Sequence, residues 1–249
     1  MYIKKKIINF LQIPLLIIIA WSVYKIYDYQ MDNKSYNILK KDYSSRVEEI
    51  SRDIIDSSDD DIEEKEIQAG REIVESLNKR YPEVIGRIFI ENLDLDFPIV
   101  QGKDNSFYLD HDYTGTYHPF GSVFMDARNS NNFSDQNTIL YGHNVSSGLV
   151  FNALNKYRDR EYVEKNPYII VDSLEGRFVY KIFAVYDVGA YEDYRSKSYN
   201  EDKWSDFLSR IKDKNILDYP LPKFEDKILT LSTCSYLDDR MTVQAVLQK

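Results

Sequence analysis

Cys234 is the only cysteine of the chain; it closes the run Thr230-Leu231-Ser232-Thr233-Cys234, and Arg240 follows six residues later. A single thiol makes no internal disulfide, so it is either a small packed hydrophobe or a reactive nucleophile. An arginine keeps its charge at any working pH. Placed beside the sulfur, Arg240 would favour the thiolate and donate hydrogen bonds to an oxyanion forming next to it, which is what acyl transfer requires. Such chemistry also needs a proton carrier, and the chain has three histidines, His111, His118 and His143. His143 is the best placed, directly after the short apolar run Thr138-Ile139-Leu140-Tyr141-Gly142, whereas His111 and His118 flank a stretch that reads as a loop. On spacing alone, a structural histidine and a packed cysteine remain the alternatives.

These side chains must be held by strands. Lys227 to Cys234 alternates Ile228, Thr230, Ser232 and Cys234 on one face with Leu229, Leu231 and Thr233 on the other. Met241 to Leu247 is a second β-rich run, and the short connection Ser235-Tyr236-Leu237-Asp238-Asp239 makes the two antiparallel neighbours, which brings Arg240 next to Cys234. Further short β runs cover Val84 to Ile90, Phe97 to Val100, Ser122 to Met125, Thr138 to Tyr141, Tyr168 to Asp172 and Arg177 to Val188. The series predicts a mainly β fold with peripheral helices, a closed or nearly closed barrel of about eight strands. Two helical inserts are expected, around Val150 to Tyr157 and around Glu201 to Lys214; in the second, Trp204, Phe207, Leu208 and Ile211 form one apolar face.

Ahead of the barrel, Lys4-Lys5-Lys6 precede an apolar run from Ile7 to about Tyr27, which reads as one membrane crossing with the lysines inside; a cleaved signal peptide is the competing reading. Tyr36, Leu39, Tyr43, Val47, Ile50 and Ile54, then Ile62, Ala69, Ile73, Leu77 and Tyr81, recur at helical steps. Asp59-Asp60-Asp61 supply the cap and acidic first turn of the second helix, which Pro82 should end. A calcium site there is disfavoured by the lack of a spaced ligand loop with a glycine turn. The expected organisation is residues 1–27 as cytoplasmic tip and transmembrane anchor, 28–83 as helical stalk and N-terminal helices, and 84–249 as the catalytic barrel. The net charge of −9 argues against a nucleic-acid partner. Neither a phosphate loop nor a zinc-spaced Cys/His set is present, so no cofactor or metal is expected.

Thr230 to Cys234 with the following Arg240, and Asn137-Thr138-Ile139-Leu140-Tyr141-Gly142-His143 upstream, resemble the two signature segments of the sortases, cysteine transpeptidases that attach proteins to Gram-positive cell walls. The likeness extends through Phe97-Pro98-Ile99-Val100-Gln101-Gly102 and Gly121-Ser122-Val123-Phe124-Met125-Asp126-Ala127-Arg128-Asn129, and so covers Val84 to the end. The helices before the barrel and the helix between the sixth and seventh strands make class B the most similar class.

That resemblance implies a sortase-type barrel in which Cys234 attacks the carbonyl after a threonine, His143 moves protons and Arg240 holds the oxyanion or the substrate backbone. Ser232, Tyr141, Val100 and Tyr194 match substrate-positioning positions. It implies an Asn-Pro-x-Thr sorting signal on client surface proteins, a peptidoglycan amine as acceptor, and a single-pass membrane protein whose catalytic domain faces the cell wall. A class A-like preference for Leu-Pro-x-Thr is the alternative. Asp96 departs from the asparagine that class B members often carry before Phe97-Pro98, and either alters recognition or is a loop charge. A papain-like thiol protease is disfavoured because its cysteine would precede its histidine; a non-catalytic adhesin with a buried thiol is the remaining reading.

Overall fold

The computed structural model describes residues 2–57, 61–189, 192, 194–234 and 239–248, and of residues 2–11, 56, 57, 234 and 239 the backbone alone. The chain divides into two compact units, Met1–Tyr43 and Ser44–Lys249.

The first unit belongs to a single helix, α1 (Tyr2–Ser57), with Pro14 inside it. Among the described residues, no helix is long and apolar enough to cross a membrane. This overturns the expected single-pass membrane location and leaves the transmembrane anchor, and the membrane as a partner through it, without support. Ile13 to Val23 is rich in isoleucine and leucine, but Gln12 and Pro14 lie at its start, Ser22 lies within it, and Tyr24, Lys25, Tyr27 and Asp28 follow within two turns. From Gln12 onward, these polar, aromatic and charged side chains leave the described part of the run short of a spanning segment of about 20 residues.

In the second unit, α2 (Ile62–Arg80) is capped by Asp61, whose side chain accepts the Glu63 N–H, and buries Ala69, Gly70, Ile73, Val74 and Leu77. Its stripe therefore begins at Ala69; Ile62, which the helical period also placed on it, is 73% exposed. Gly70 is required by a close approach, because a Cβ there would collide with the Asp172 carboxylate. That carboxylate belongs to a buried ionic chain. Arg177 bonds Asp172 at 2.7 Å and the Glu66 carbonyl of α2 at 3.0 Å. Arg87 reaches Asp172 at 3.4 Å and grips Asp96 through two bonds of 2.7 and 2.6 Å. Asp96 is thus a partner of Arg87 inside the fold, which accounts for its charge without reference to a ligand.

Among the described residues, eight strands close a barrel: β1 (Val84–Ile90), β2 (Leu95–Val100), β3 (Val123–Met125), β4 (Asn137–His143), β5 (Tyr168–Ser173), β6 (Gly176–Gly189), β7 (Ile228–Cys234) and β8 (Asp239–Leu247), in the spatial order β1-β2-β3-β4-β7-β8-β6-β5. The β2–β3 and β4–β7 pairings are parallel and the others antiparallel. Closure leaves no free edge, so each strand's backbone groups are satisfied by neighbours on both sides.

Of the two inserts, the one at Phe151–Arg158 is a 3-10 helix, not an α-helix, followed by a short helix α3 (Arg160–Lys165). The buried residues Phe151, Leu154 and Tyr157 recur every three residues, the period that a 3-10 helix stacks on one face. The other is the expected α-helix, α4 (Glu201–Lys214), with Asn200 accepting the Lys203 N–H as its cap. Its buried Trp204, Phe207 and Ile211 join a cluster with Tyr186, Val188, Tyr194 and Tyr199, which seats the β6–α4 connection on the barrel.

Candidate active site

Strand register gathers the predicted residues into two rows. Val100 pairs with Phe124, Phe124 with Tyr141, Tyr141 with Ser232, and Ser232 with Thr242, so one line crosses β2, β3, β4, β7 and β8. Two residues further toward the rim, His143 pairs with Cys234 across the parallel β4–β7 ladder. The antiparallel β7–β8 register, carried past Ser232 and Thr242, sets Cys234 opposite Arg240, which pairs on its other side with Val188. His143, distant in sequence from the other two, thus joins Cys234 and Arg240 at neighbouring strand ends, about 4.8 Å apart between adjacent strands. The connection 235–238, and with it Asp238, lies outside the described residues.

His143 is half-buried, and its Nε2 lies 2.6 Å from the Leu109 carbonyl oxygen. A carbonyl only accepts, so Nε2 carries the hydrogen of this bond. Gly142 brings β4 against the 3-10 turn: a Cβ there would stand 2.7 Å from the Phe151 ring. Arg240 is half-buried, and its Nε is buried with no hydrogen-bond partner among the described residues.

The row below is closed to solvent. Val100, Tyr141, Ser232 and Tyr194 are all buried, and the Tyr194 hydroxyl meets Ser232 Oγ at 2.8 Å. Tyr141 donates to Asp126 Oδ2 at 2.8 Å, and Arg128 grips both oxygens of the same carboxylate at 2.9 and 2.7 Å. Asp126 is fully buried; burial by itself would raise its pKa, but the hydrogen bonds from Arg128 and Tyr141 and the Arg128 charge together hold it down to about 2. Burial and the neighbouring Asp126 push the Tyr141 hydroxyl well above its ordinary value, so it stays a donor.

The other histidines are placed differently. His111 stacks on Phe107 at 4.0 Å between ring centroids, with Nδ1 near Asp110 and the Phe107 carbonyl. Nδ1 of buried His118 accepts the Phe120 N–H at 3.2 Å, as a loop-folding histidine would.

Sequence reasoning assigned no role to Asp126, Arg128, Asn137 or the Leu109 carbonyl. A signal for the first two was present: opposite charges two residues apart at the end of an apolar run, where a lone carboxylate would be costly. Asn137, polar at the start of a buried strand, was a second. The carbonyl has none, since a backbone group leaves no mark on residue type. Among the described residues, no cluster of metal-ligating side chains occurs.

A Sortase domain model matches residues 88–248. Sortase B of Listeria monocytogenes is 34% identical over 183 residues, spanning 71% of this chain and 74% of that protein. Sortase B of Staphylococcus aureus is 33% identical over 162 residues, 64% of this chain and 66% of that one. Among solved structures, the Staphylococcus aureus sortase B-substrate complex superposes with a TM-score of 0.74 at 27% identity, covering 86% of this chain and 97% of that one. A sortase B complexed with triglycine gives the same TM-score of 0.74 at 27% identity, over 86% and 98%. Listeria monocytogenes sortase B gives 0.63 at 35% identity, over 70% and 97%. With a family model over most of its length and relatives of this identity, the chain belongs to the sortase family of cysteine transpeptidases and is similar to its class B members.

Proposed function

We propose that this enzyme cleaves a C-terminal sorting signal of the Asn-Pro-x-Thr type after threonine and joins the protein to a peptidoglycan amine. Cys234 attacks the threonine carbonyl carbon as a thiolate, its thiol proton having passed to His143, and the oxyanion accepts hydrogen bonds from Arg240. Collapse breaks the C–N bond, with His143 giving its proton to the leaving amine and a thioacyl enzyme remaining. An incoming amine then attacks the thioester, His143 takes up the proton it sheds, and the C–S bond breaks to regenerate the thiolate. Ser232, Tyr141, Val100 and Tyr194 form the packed floor that sets the positions of the residues above them.

The observation that carries this reading is the rim row of His143, Cys234 and Arg240, in which a buried guanidinium N–H has no partner among the described residues. A buried donor left unpaired costs about 1–3 kcal/mol, so it is worth keeping where a reaction supplies the acceptor. Support for the acceptor class comes from the relative complexed with triglycine. The test is a side-by-side measurement of kcat/KM on Asn-Pro-x-Thr and Leu-Pro-x-Thr peptides, with and without triglycine. Preferred cutting of the first, diverted by triglycine to the joined product, is expected. A Leu-Pro-x-Thr preference would replace the signal but keep transpeptidation, and hydrolysis that no amine diverts would remove transpeptidation.

A further inference from the structure

The connection from β6 to α4 carries Tyr194, whose hydroxyl bonds Ser232 two residues before Cys234. It is held by three successive carbonyls. Arg128 Nη2 donates to the Arg195 carbonyl at 3.0 Å, Asn137 Nδ2 to the Ser196 carbonyl at 2.9 Å, and the Asn137 N–H to the Lys197 carbonyl at 3.0 Å. The donors are themselves fixed. Arg128 is locked by its two bonds to buried Asp126, which Tyr141 also holds. Asn137 Oδ1 accepts from Thr230 at 2.7 Å, tying the strand that ends in Cys234 to the same point.

These contacts form a ring: Asp126, Tyr141, its register partner Ser232, Tyr194, Arg195, Arg128 and back to Asp126. Residues 194–199, without helix or strand, are fastened through consecutive main-chain carbonyls to Arg128 and to Asn137 of the strand that ends in His143, and through Tyr194–Ser232 and Thr230–Asn137 to the strand that ends in Cys234. The Arg128 side chain is 61% exposed, so its fork does not serve to fill the core. Its position is explained by the two things it bonds, a buried carboxylate and one carbonyl of the connection.

From this we infer that Arg128 and Asn137 are positioning residues for peptide recognition: they clamp the β6–α4 connection against the rim, so that Arg128 sets how tightly a sorting peptide is bound without touching the bond that is cut. The inference rests on the proposed function for the identity of the peptide, but the clamp itself is measurable without it.

Lysine at this position separates the two jobs of the guanidinium. R128K retains a positive charge for buried Asp126, but a single ammonium loses the planar fork that meets the carboxylate and a carbonyl together. The expected result is a near-normal melting temperature, faster amide hydrogen exchange across residues 194–199, and KM for an Asn-Pro-x-Thr peptide raised about tenfold with kcat within about twofold, the loss expected for one charge-assisted hydrogen bond in binding. The alkylation rate of Cys234 by iodoacetamide should be unchanged. If R128K does not fold, the D126N/R128Q double substitution removes both charges together and is expected to give the same exchange and KM effects. Unchanged exchange across 194–199 in a folded variant would overturn the clamp, and a fall in kcat at constant KM would overturn its role in binding. If wild-type enzyme cuts no sorting peptide, the functional reading fails, while the exchange measurement still decides the clamp.

Discussion

His143 and Cys234 are register partners at the ends of two parallel strands, yet the Nε2 proton of His143 is committed to the Leu109 carbonyl at 2.6 Å. The imidazole is thereby oriented before any substrate arrives, with its Nε2–H directed at the carbonyl. In 15N spectra of the enzyme, His143 Nε2 should show the signature of a protonated nitrogen; an unprotonated Nε2 would mean that the Leu109 contact does not hold the ring.

If the rim row is the reacting centre, removing either partner should be far more damaging than removing the histidines of the loop. Cys234→Ala should abolish peptide cleavage and thioacyl trapping, and His143→Ala should lower kcat/KM by roughly 100-fold or more, the scale of a lost general acid–base. His111→Ala should keep most activity, since its ring is engaged by Phe107 and Asp110. His118→Ala should lower stability more than turnover, because it removes a buried acceptor for the Phe120 N–H. The reverse ranking among the histidines would move the proton-transfer role away from His143.

Arg240→Lys tests whether a directed hydrogen bond or a point charge is needed. The Arg240 Nε is the buried donor without a partner among the described residues, and lysine has no atom of that kind at that distance along its side chain. Strong impairment is expected, with the fold intact by circular dichroism. Turnover near the wild-type value would show that charge alone suffices.

Gly142 lies between the apolar core of β4 and His143, and the Phe151 ring occupies the space where a side chain would be. Gly142→Ala should force that ring or the strand to move, with a stability loss of about 1–3 kcal/mol, the usual cost of overpacking a tight interior. Activity should fall with it, since His143 is the next residue. Pairing Gly142→Ala with Phe151→Leu should recover part of both losses; no recovery would mean that the collision is relieved elsewhere.

How much of this could be read from residue types depends on the kind of interaction. Period-two alternation and turn residues revealed the strands, and the short 234-to-240 connection revealed one neighbour of Cys234, because both are local in sequence. The pairing of Cys234 with His143 brings together strands 91 positions apart and is parallel, so the position of His143 after an apolar run made it only the best placed of three histidines, and the family resemblance singled it out. The β6–α4 connection was opaque for a different reason: it is fixed through the carbonyls of Arg195, Ser196 and Lys197, and a carbonyl is the same in every residue. The apolar run near the N-terminus misled in the opposite direction. Its isoleucines and leucines were conspicuous, yet among the described residues no helix is long and apolar enough to cross a membrane.

Asp126 gives the site a defined response to acid. Its folded pKa, about 2, lies below the unfolded carboxylate value, with burial opposed and outweighed by the bonds from Arg128 and Tyr141. A group whose pKa is depressed in the folded state stabilises the fold at pH values above its unfolded pKa. That contribution is lost as pH falls from about 4 toward 2, where the unfolded chain takes up the proton first. The amount at stake is on the order of 1–2 kcal/mol. Asp126→Asn removes this titration. The variant should be less stable than wild type at neutral pH, because Arg128 and Tyr141 lose a charged acceptor, and the difference between the two should shrink between pH 4 and pH 2. Denaturant unfolding at several pH values measures both curves. A gap that stays constant down to pH 2 would mean that the Asp126 carboxylate is not held below its unfolded pKa and that the Arg128–Asp126–Tyr141 contacts contribute little to the fold.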